Sequence, residues 1–294
     1  MRPIRTFVFV AAVTLALAGC SSGEPTAEPS APSGESTGAS APSSGASDLP
    51  PVDLPPGDTT VELEHDGGPR SYTVHVPEGL TDPAPLVLVL HHLTGSSSQA
   101  RASYGFDPVA DDEGFVAVYP DGLGSSWNAG GCCGYAVDER ADDVGFLTTV
   151  LDQVGASLDV DPGRVYVTGF SNGAMMSYRL ACETDRFAAL APVAGALLVA
   201  CPEPVPASVL RVHGLDDRDV PFREEEAPWR EAGACADTVP VDAVPVHVTT
   251  AACDDGRVVE VVTIDGTGHW WPDADDGYDT AAEIWEFFEA HPRS

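Results

Sequence analysis

An apolar, β-branched run, Arg164-Val165-Tyr166-Val167-Thr168, stops at Gly169-Phe170-Ser171-Asn172-Gly173 and continues as Ala174-Met175-Met176-Ser177-Tyr178-Arg179-Leu180, which reads as helix. No other feature of the chain restricts its fold so much. A strand that turns directly into a helix through G-x-S-x-G lifts the central hydroxyl clear of the backbone, and the flanking glycines let strand and helix approach without a Cβ clash. Such a turn is a nucleophile elbow, and it makes Ser171 the candidate nucleophile.

The partners a nucleophilic serine needs follow in the order serine, acid, histidine. Ser208-Val209-Leu210-Arg211-Val212-His213-Gly214 reads as a strand running into the loop Leu215-Asp216-Asp217-Arg218-Asp219-Val220-Pro221-Phe222. Val258-Val259-Glu260-Val261-Val262-Thr263-Ile264 reads as another strand, ending in Asp265-Gly266-Thr267-Gly268-His269-Trp270-Trp271-Pro272. Acid loop and His269 therefore both lie just past the carboxyl end of a strand, where open α/β sheets bind ligands. Spacing leaves Asp216, Asp217 and Asp219 open as the acid.

Not all of the 294 residues belong to a fold. Met1-Arg2-Pro3-Ile4-Arg5 is a basic start, and Thr6 to Ala18 is an apolar run too short to span a bilayer comfortably, so residues 1–19 read as a secretory signal. Leu17-Ala18-Gly19-Cys20 followed by Ser21-Ser22 resembles the bacterial lipoprotein box, in which the cysteine becomes the lipidated first residue. Residues 20–58 are Ser, Pro, Gly, Ala, Thr and Glu with almost no bulky apolar side chains, the composition of a disordered tether. The expected catalytic domain is 59–294, a length that suits one α/β domain.

Within it, Thr60 to Glu64 and Arg70 to Pro77 read as an antiparallel pair about Asp66-Gly67-Gly68. Leu86 to Leu90 and Phe115 to Tyr119 read as buried strands. Asp142 or Asp143 caps an expected helix carrying Phe146, Leu147, Val150, Leu151, Val154 and Leu158 at helical spacing. Leu190 to Val193 is a further strand, and a last helix, about Thr280 to Ala290, buries Ile284, Trp285, Phe287 and Phe288. Alternating strands and helices predict an α/β fold with a mostly parallel central sheet and helices on both faces.

Asp and Glu number 46 against 14 basic residues, all of them arginine, for a formal net charge of −32. That balance argues against nucleic acid or an anionic membrane surface as a ligand. A lipid anchor is then the expected membrane contact, and a monomer the expected state. Six cysteines follow Cys20, an even number compatible with three bridges in an exported protein. Cys235–Cys253, between the acid and histidine strands, and Cys182–Cys201, around the intervening strand, are the favoured pairs. Adjacent Cys132 and Cys133 leave swapped pairings open. No C-x-x-C pair occurs, so no metal is expected, and a nucleophilic serine with its acid and histidine requires no cofactor.

The chain resembles the polyhydroxybutyrate-depolymerase-like esterase family of the α/β-hydrolases, which includes feruloyl and acetylxylan esterases. Resemblance runs over roughly residues 70 to 290. It is carried by Leu90-His91 with Thr94-Gly95-Ser96, Tyr119-Pro120-Asp121-Gly122, Trp127-Asn128-Ala129-Gly130 with Cys132-Cys133-Gly134, and Asp142-Asp143-Val144-Gly145-Phe146-Leu147. The run Val165 to Met176, Ala191 to Gly195, His213-Gly214 with Asp217 and Val220-Pro221, and Gly268-His269 with Trp271-Pro272 complete it. The resemblance implies the α/β-hydrolase fold, Asp217 as the acid, and an oxyanion hole made by the N–H groups of Leu93 and Asn172. It departs from the family at His92, where the family usually has glycine.

The implied reaction is two-step acyl transfer to water at a carboxylic ester: feruloyl or acetyl esters of carbohydrate, or short hydroxyalkanoate esters. Trp127, Trp270 and Trp271 are expected to line the cleft, stacking on a sugar or an aromatic ring. A polyester depolymerase, an acyltransferase and a serine peptidase would use the same triad. A surface-binding lipoprotein on a decayed hydrolase fold is the non-enzyme alternative.

Overall fold

The computed structural model describes residues 50–293. The expected signal, Cys20 and most of the expected tether lie outside the described residues. A ten-stranded sheet carries the fold, in the order β1-β2-β4-β3-β5-β6-β7-β10-β9-β8. In chain order the strands are β1 (Gly57–His65), β2 (Gly68–Val76), β3 (Ala84–Leu90), β4 (Val116–Pro120), β5 (Val160–Phe170), β6 (Ala189–Val193), β7 (Ser208–Gly214), β8 (Val239–Ala243), β9 (Val246–Ala252) and β10 (Val258–Ile264). From β4 to β10 the central strands are all parallel. Antiparallel strands flank them, β1 and β2 at one edge and β9 and β8 at the other.

The helices are α1 (Ser97–Tyr104), α2 (Phe106–Glu113), α3 (Tyr135–Asp138), α4 (Asp143–Ser157), α5 (Asn172–Glu183), α6 (Ala227–Ala232) and α7 (Thr280–Ala290). They cover both faces, and β3 shows why its sequence is apolar without a break. Successive side chains of a strand point to opposite faces. Leu86, Leu88 and Leu90 pack in a cluster with Phe146, Leu147 and Val150 of α4 and Met176 of α5. Val87 and Val89 pack in the opposite cluster with Phe106 of α2 and Ile284, Trp285 and Phe288 of α7. A strand buried on two sides has no polar face to show. Asp142 caps α4, accepting the Gly145 N–H at 3.0 Å, and Asp279 caps α7.

The folded region starts earlier than the expected boundary between 58 and 59. Leu54 is buried, β1 begins at Gly57, and the Val52 N–H donates to Ser157 Oγ at 2.9 Å. The β8–β9 hairpin and the short α1, α2, α3 and α6 carry too little apolar period to be read beforehand; every residue of β8 is exposed. Cys182–Cys201 and Cys235–Cys253 are bridged with Cα atoms 5.5 Å and 3.7 Å apart, and Cys132 bonds its neighbour Cys133. Among the described residues, no helix is long and apolar enough to cross a membrane.

Candidate active site

Ser171 follows the last residue of β5 and precedes α5, with φ 54° and ψ −115°, a conformation unfavourable for an L residue. Its N–H is held by Val193 O at 3.0 Å. The turn is possible because of Gly173: a Cβ there would come within 2.2 Å of Leu90 O. Strand β3 and helix α5 thus touch backbone to backbone beside the serine.

The loops after β7 and β10 meet this turn. Asp216 N–H donates to Thr267 O at 2.9 Å and Leu215 N–H to Ile264 O at 3.0 Å, tying the acid loop to the histidine loop. The contact is close enough that a Cβ on Gly214 would lie 2.2 Å from Thr267 O. His269 Nε2 then stands 2.8 Å from Ser171 Oγ, and His269 Nδ1 stands 2.7 Å from Asp217 Oδ2. A carboxylate only accepts, so Nδ1 carries the proton, and Nε2 is left as the acceptor for the serine hydroxyl.

Of the three crowded aspartates, Asp217 alone turns inward. Its side chain is fully buried, whereas Asp216 and Asp219 are exposed. Asp217 Oδ1 accepts the N–H groups of Asp219 and Val220, each at 2.9 Å, leaving Oδ2 for the imidazole. Two main-chain donors hold the carboxylate in one rotamer.

The loop after β3, which carries Leu93, is set by His91. Its Nδ1–H donates to His92 O at 2.8 Å, and its Nε2 accepts the Gly122 N–H at 2.9 Å. Burial pushes the His91 imidazole down, consistent with this neutral tautomer. The loop then turns back through Gly95 N–H to His92 O (2.9 Å) and Thr94 N–H to Ser125 O (2.8 Å). Among the described residues, the N–H groups of Leu93 and Asn172 donate to no other group. His92 takes the family's glycine position without blocking the turn. Its ring packs against buried neighbours, Nδ1 lying 2.8 Å from Tyr104 OH, and edges Phe170 at 5.7 Å. Burial first, and the neighbouring His269 second, push the His92 imidazole down.

The expected aromatic lining is corrected in part. Trp127 is fully buried, donates Nε1–H to His91 O at 2.9 Å and packs against the His91 ring; it supports the loop after β3 and does not face the cleft. Trp271 is half-buried and stacks on Tyr104, centroids 4.3 Å apart. Trp270 stays exposed beside the histidine, its Nε1–H on Asp276 Oδ2 at 3.1 Å.

Several residues that fix the site carry no signal readable beforehand. The Asn172 side chain bonds Trp127 N and O at 2.7 and 3.1 Å and reaches Cys132 O at 3.4 Å, linking the elbow to the disulfide loop. Tyr104, Arg211 and His213 also stand behind the site. His213 belongs to the His213-Gly214 motif, but the sequence does not show the partners of Tyr104, Arg211 or His213, because which side chains meet depends on how the loops fold over the strand ends.

A buried acid, an imidazole and a strained serine converging from three strand ends define a serine hydrolase of the α/β-hydrolase fold. Solved structures share that fold. An acetyl xylan esterase from Aspergillus awamori superposes with a TM-score of 0.57 over 79% of this chain and 99% of its own, at 15% identity. A thermostable esterase does so with a TM-score of 0.55 over 80% of this chain and 63% of its own, at 17% identity. Among sequences, NocK of Nocardia uniformis subsp. tsuyamanensis, an esterase by name, is 31% identical over 310 residues, covering 89% of this chain and 88% of NocK. The poly(3-hydroxyalkanoate) depolymerase C of Paucimonas lemoignei is 33% identical over 41% of this chain and 30% of its own length. Feruloyl esterase D of Neurospora crassa is 31% identical over 55% of this chain and 57% of its own. No family model matches the chain. With NocK aligned over most of both lengths, the chain belongs to the polyhydroxybutyrate-depolymerase-like and feruloyl esterase family. It is an enzyme, a serine hydrolase acting on carboxylic ester bonds.

Proposed function

We propose that Ser171, His269 and Asp217 form the catalytic triad of an exported esterase. The observation that carries this is the unbroken chain from Ser171 Oγ to His269 Nε2, 2.8 Å, and from His269 Nδ1 to Asp217 Oδ2, 2.7 Å. His269 takes the serine proton as Ser171 Oγ attacks the ester carbonyl; Asp217 holds the imidazole tautomer and stabilises the imidazolium. The N–H groups of Leu93 and Asn172 bind the oxyanion of the tetrahedral intermediate. His269 then returns the proton to the leaving alcohol, and water releases the acyl group from Ser171 by the reverse route.

The substrate is an ester of carbohydrate, feruloyl or acetyl, or a short hydroxyalkanoate ester. Exposed Trp270 beside His269 is an aromatic face on which a sugar or aryl ring can stack. Three disulfides among the described residues suit an oxidising compartment. Residues 1–19 as a signal, Cys20 as the lipidated residue and the Ser/Pro-rich segment as a tether would place a monomeric enzyme outside the cytoplasm. The second reading, a polyester depolymerase, is favoured by the likeness to depolymerase C.

Turnover of p-nitrophenyl acetate and butyrate, methyl ferulate, acetylated xylan and polyhydroxybutyrate granules discriminates these readings. Fluorophosphonate labelling of Ser171 with loss of turnover is expected; an active enzyme labelled elsewhere rejects the triad. Mass spectrometry of the membrane fraction tests Cys20, where an unmodified thiol rejects the anchor.

A further inference from the structure

Strand β7 carries Arg211 and His213 two residues apart, hence on one face. Both are buried, at 1% and 0% exposure, behind the acid loop rather than in the cleft. Arg211 Nη1 pairs with Glu226 Oε2 at 3.1 Å, and Arg211 Nη2 donates to His213 Nδ1 at 3.2 Å. The guanidinium lies 4.4 Å over the Phe222 ring. His213 Nε2 is 2.7 Å from Val220 O and 3.4 Å from Asp217 Oδ2. The stretch from Asp217 to Phe222 is therefore gripped from beneath by two side chains of one strand.

The chemistry of these contacts leaves one arrangement. A guanidinium has only donors, so His213 Nδ1 must be the acceptor and Nε2 must carry the hydrogen. That hydrogen serves Val220 O, the carbonyl that follows the two N–H groups held by Asp217 Oδ1. A second proton on His213 would set an N–H against the guanidinium. The charged or titratable groups facing the ring are Arg211 from its own strand, Asp217 from the acid loop and His269 from the loop after β10, with Glu226 beyond Arg211. His213 therefore stays neutral, and Asp217 keeps His269 as the partner whose charge it offsets during the reaction.

We propose that Arg211 is a positioning residue of the esterase reaction: through His213 it fixes the acid loop and reserves the Asp217 carboxylate for His269. The proposal rests on the triad reading above. A buried ion pair such as Arg211–Glu226 is at best a weak source of stability, since desolvation offsets much of its attraction. Its placement against the acid's own support is what a positioning role requires. Burial first and Arg211 second push the His213 imidazole down to about 4, which agrees with the geometry.

The test compares Arg211→Met/Glu226→Leu, which removes both charges while keeping volume, with Arg211→Lys, which keeps a charge and a donor. Turnover is referred to the active-site concentration titrated by fluorophosphonate. In the double variant kcat should fall about 10- to 100-fold, as a small misplacement of a catalytic group does, with KM within about twofold. The acid limb of its pH profile should move to higher pH, because a protonated His213 then competes for Asp217. Arg211→Lys should recover part of the loss. ¹⁵N spectra of the histidines should show His213 only as the Nε2–H tautomer in the native enzyme and as a mixture in the double variant.

A lower melting temperature with unchanged kcat per labelled site and an unchanged pH profile would overturn the proposal. So would a native His213 found as the Nδ1–H tautomer or protonated near neutral pH, a reading that needs no variant to fold. Activity remaining in Ser171→Ala rejects the triad instead, and leaves the His213 tautomer result standing as a separate outcome.

Discussion

The elbow after β5 with the loops after β7 and β10, and the hairpin of β8 and β9, both border the apolar clusters, touching them through Val220 and Trp271 on one side and Val246 and Val248 on the other, yet they are held by different forces. The loops bury polar groups and pair them: Asp217 accepts two N–H groups and faces two histidines, while Asn172 bridges Trp127 and Cys132. The hairpin exposes Val239, Val241 and Val244 and rests on its ladder to β10, the Cys235–Cys253 bridge and a half-buried His247 between Asp242 and Asp265. Satisfied polar networks in a low-dielectric setting fix single geometries, because each unmade bond is costly there. Apolar contacts at a wet edge tolerate many. The proposed triad lies in the region that such networks hold.

Four experiments probe that contrast. Ser171→Ala should lower ester turnover by several orders of magnitude, leaving residual catalysis from binding and oxyanion stabilisation. Retention of more than about a tenth of kcat would mean that the strained turn is not the reacting centre. Asp217→Asn should cost about 10³–10⁴-fold in kcat by holding the wrong imidazole tautomer. Asp216→Asn and Asp219→Asn should stay within about tenfold, as exposed residues do. Kinetics showing Asp216 or Asp219 as the sensitive position would contradict the inward turn of Asp217.

On the hairpin side the effect should be on stability and not on chemistry. Cys235→Ala/Cys253→Ala should lose about 2–5 kcal/mol in denaturant unfolding and speed amide exchange in β8 and β9, with kcat little changed. A comparable loss of kcat would show the hairpin coupled to the acid loop. The smallest expected effect is at the opposite edge, where His75 of β2 stands 2.8 Å from Asp58 and 3.1 Å from Asp111, with Asp107 near and Arg101 spanning Asp58 and Asp107. Burial pulls the His75 imidazole down, but the three carboxylates together outweigh it and hold it raised. Its stabilisation should be full below about pH 6.5 and fade as pH rises through the raised value. The melting-temperature gap between native enzyme and His75→Gln should therefore narrow from pH 5 to pH 8; a widening gap contradicts the assignment.

Much of the core was legible before the structure. The pairing of β1 with β2, the central strands, α4 with Asp142 or Asp143 as its cap and α7 with its buried aromatics all carry strong local periodicity or turn chemistry. Ser171 and His269 were legible for a related reason: each sits at a point where a strand pattern breaks. The β8–β9 hairpin was not, because a strand exposed along its whole length has no apolar alternation to betray it. The start of the fold is not legible because Leu54 and Val52 are isolated apolar residues in a Pro-rich segment, with no period of their own.

What the sequence determined by itself, then, was the order of strands β1 to β7 and β10 with α4, α5 and α7, the elbow, and the pair of strand ends beside it, since all of these are written in neighbouring residues. Tertiary structure decided which of three chemically equal aspartates turns inward, because that depends on which main-chain N–H groups and which imidazole lie across the loop. It made Trp127 a buried support and left Trp270 exposed, although both follow strands in much the same way. It also brought Arg211, His213 and Glu226 together behind Asp217. Burial and partnership of polar groups are properties of contacts between distant segments, and no local pattern records them.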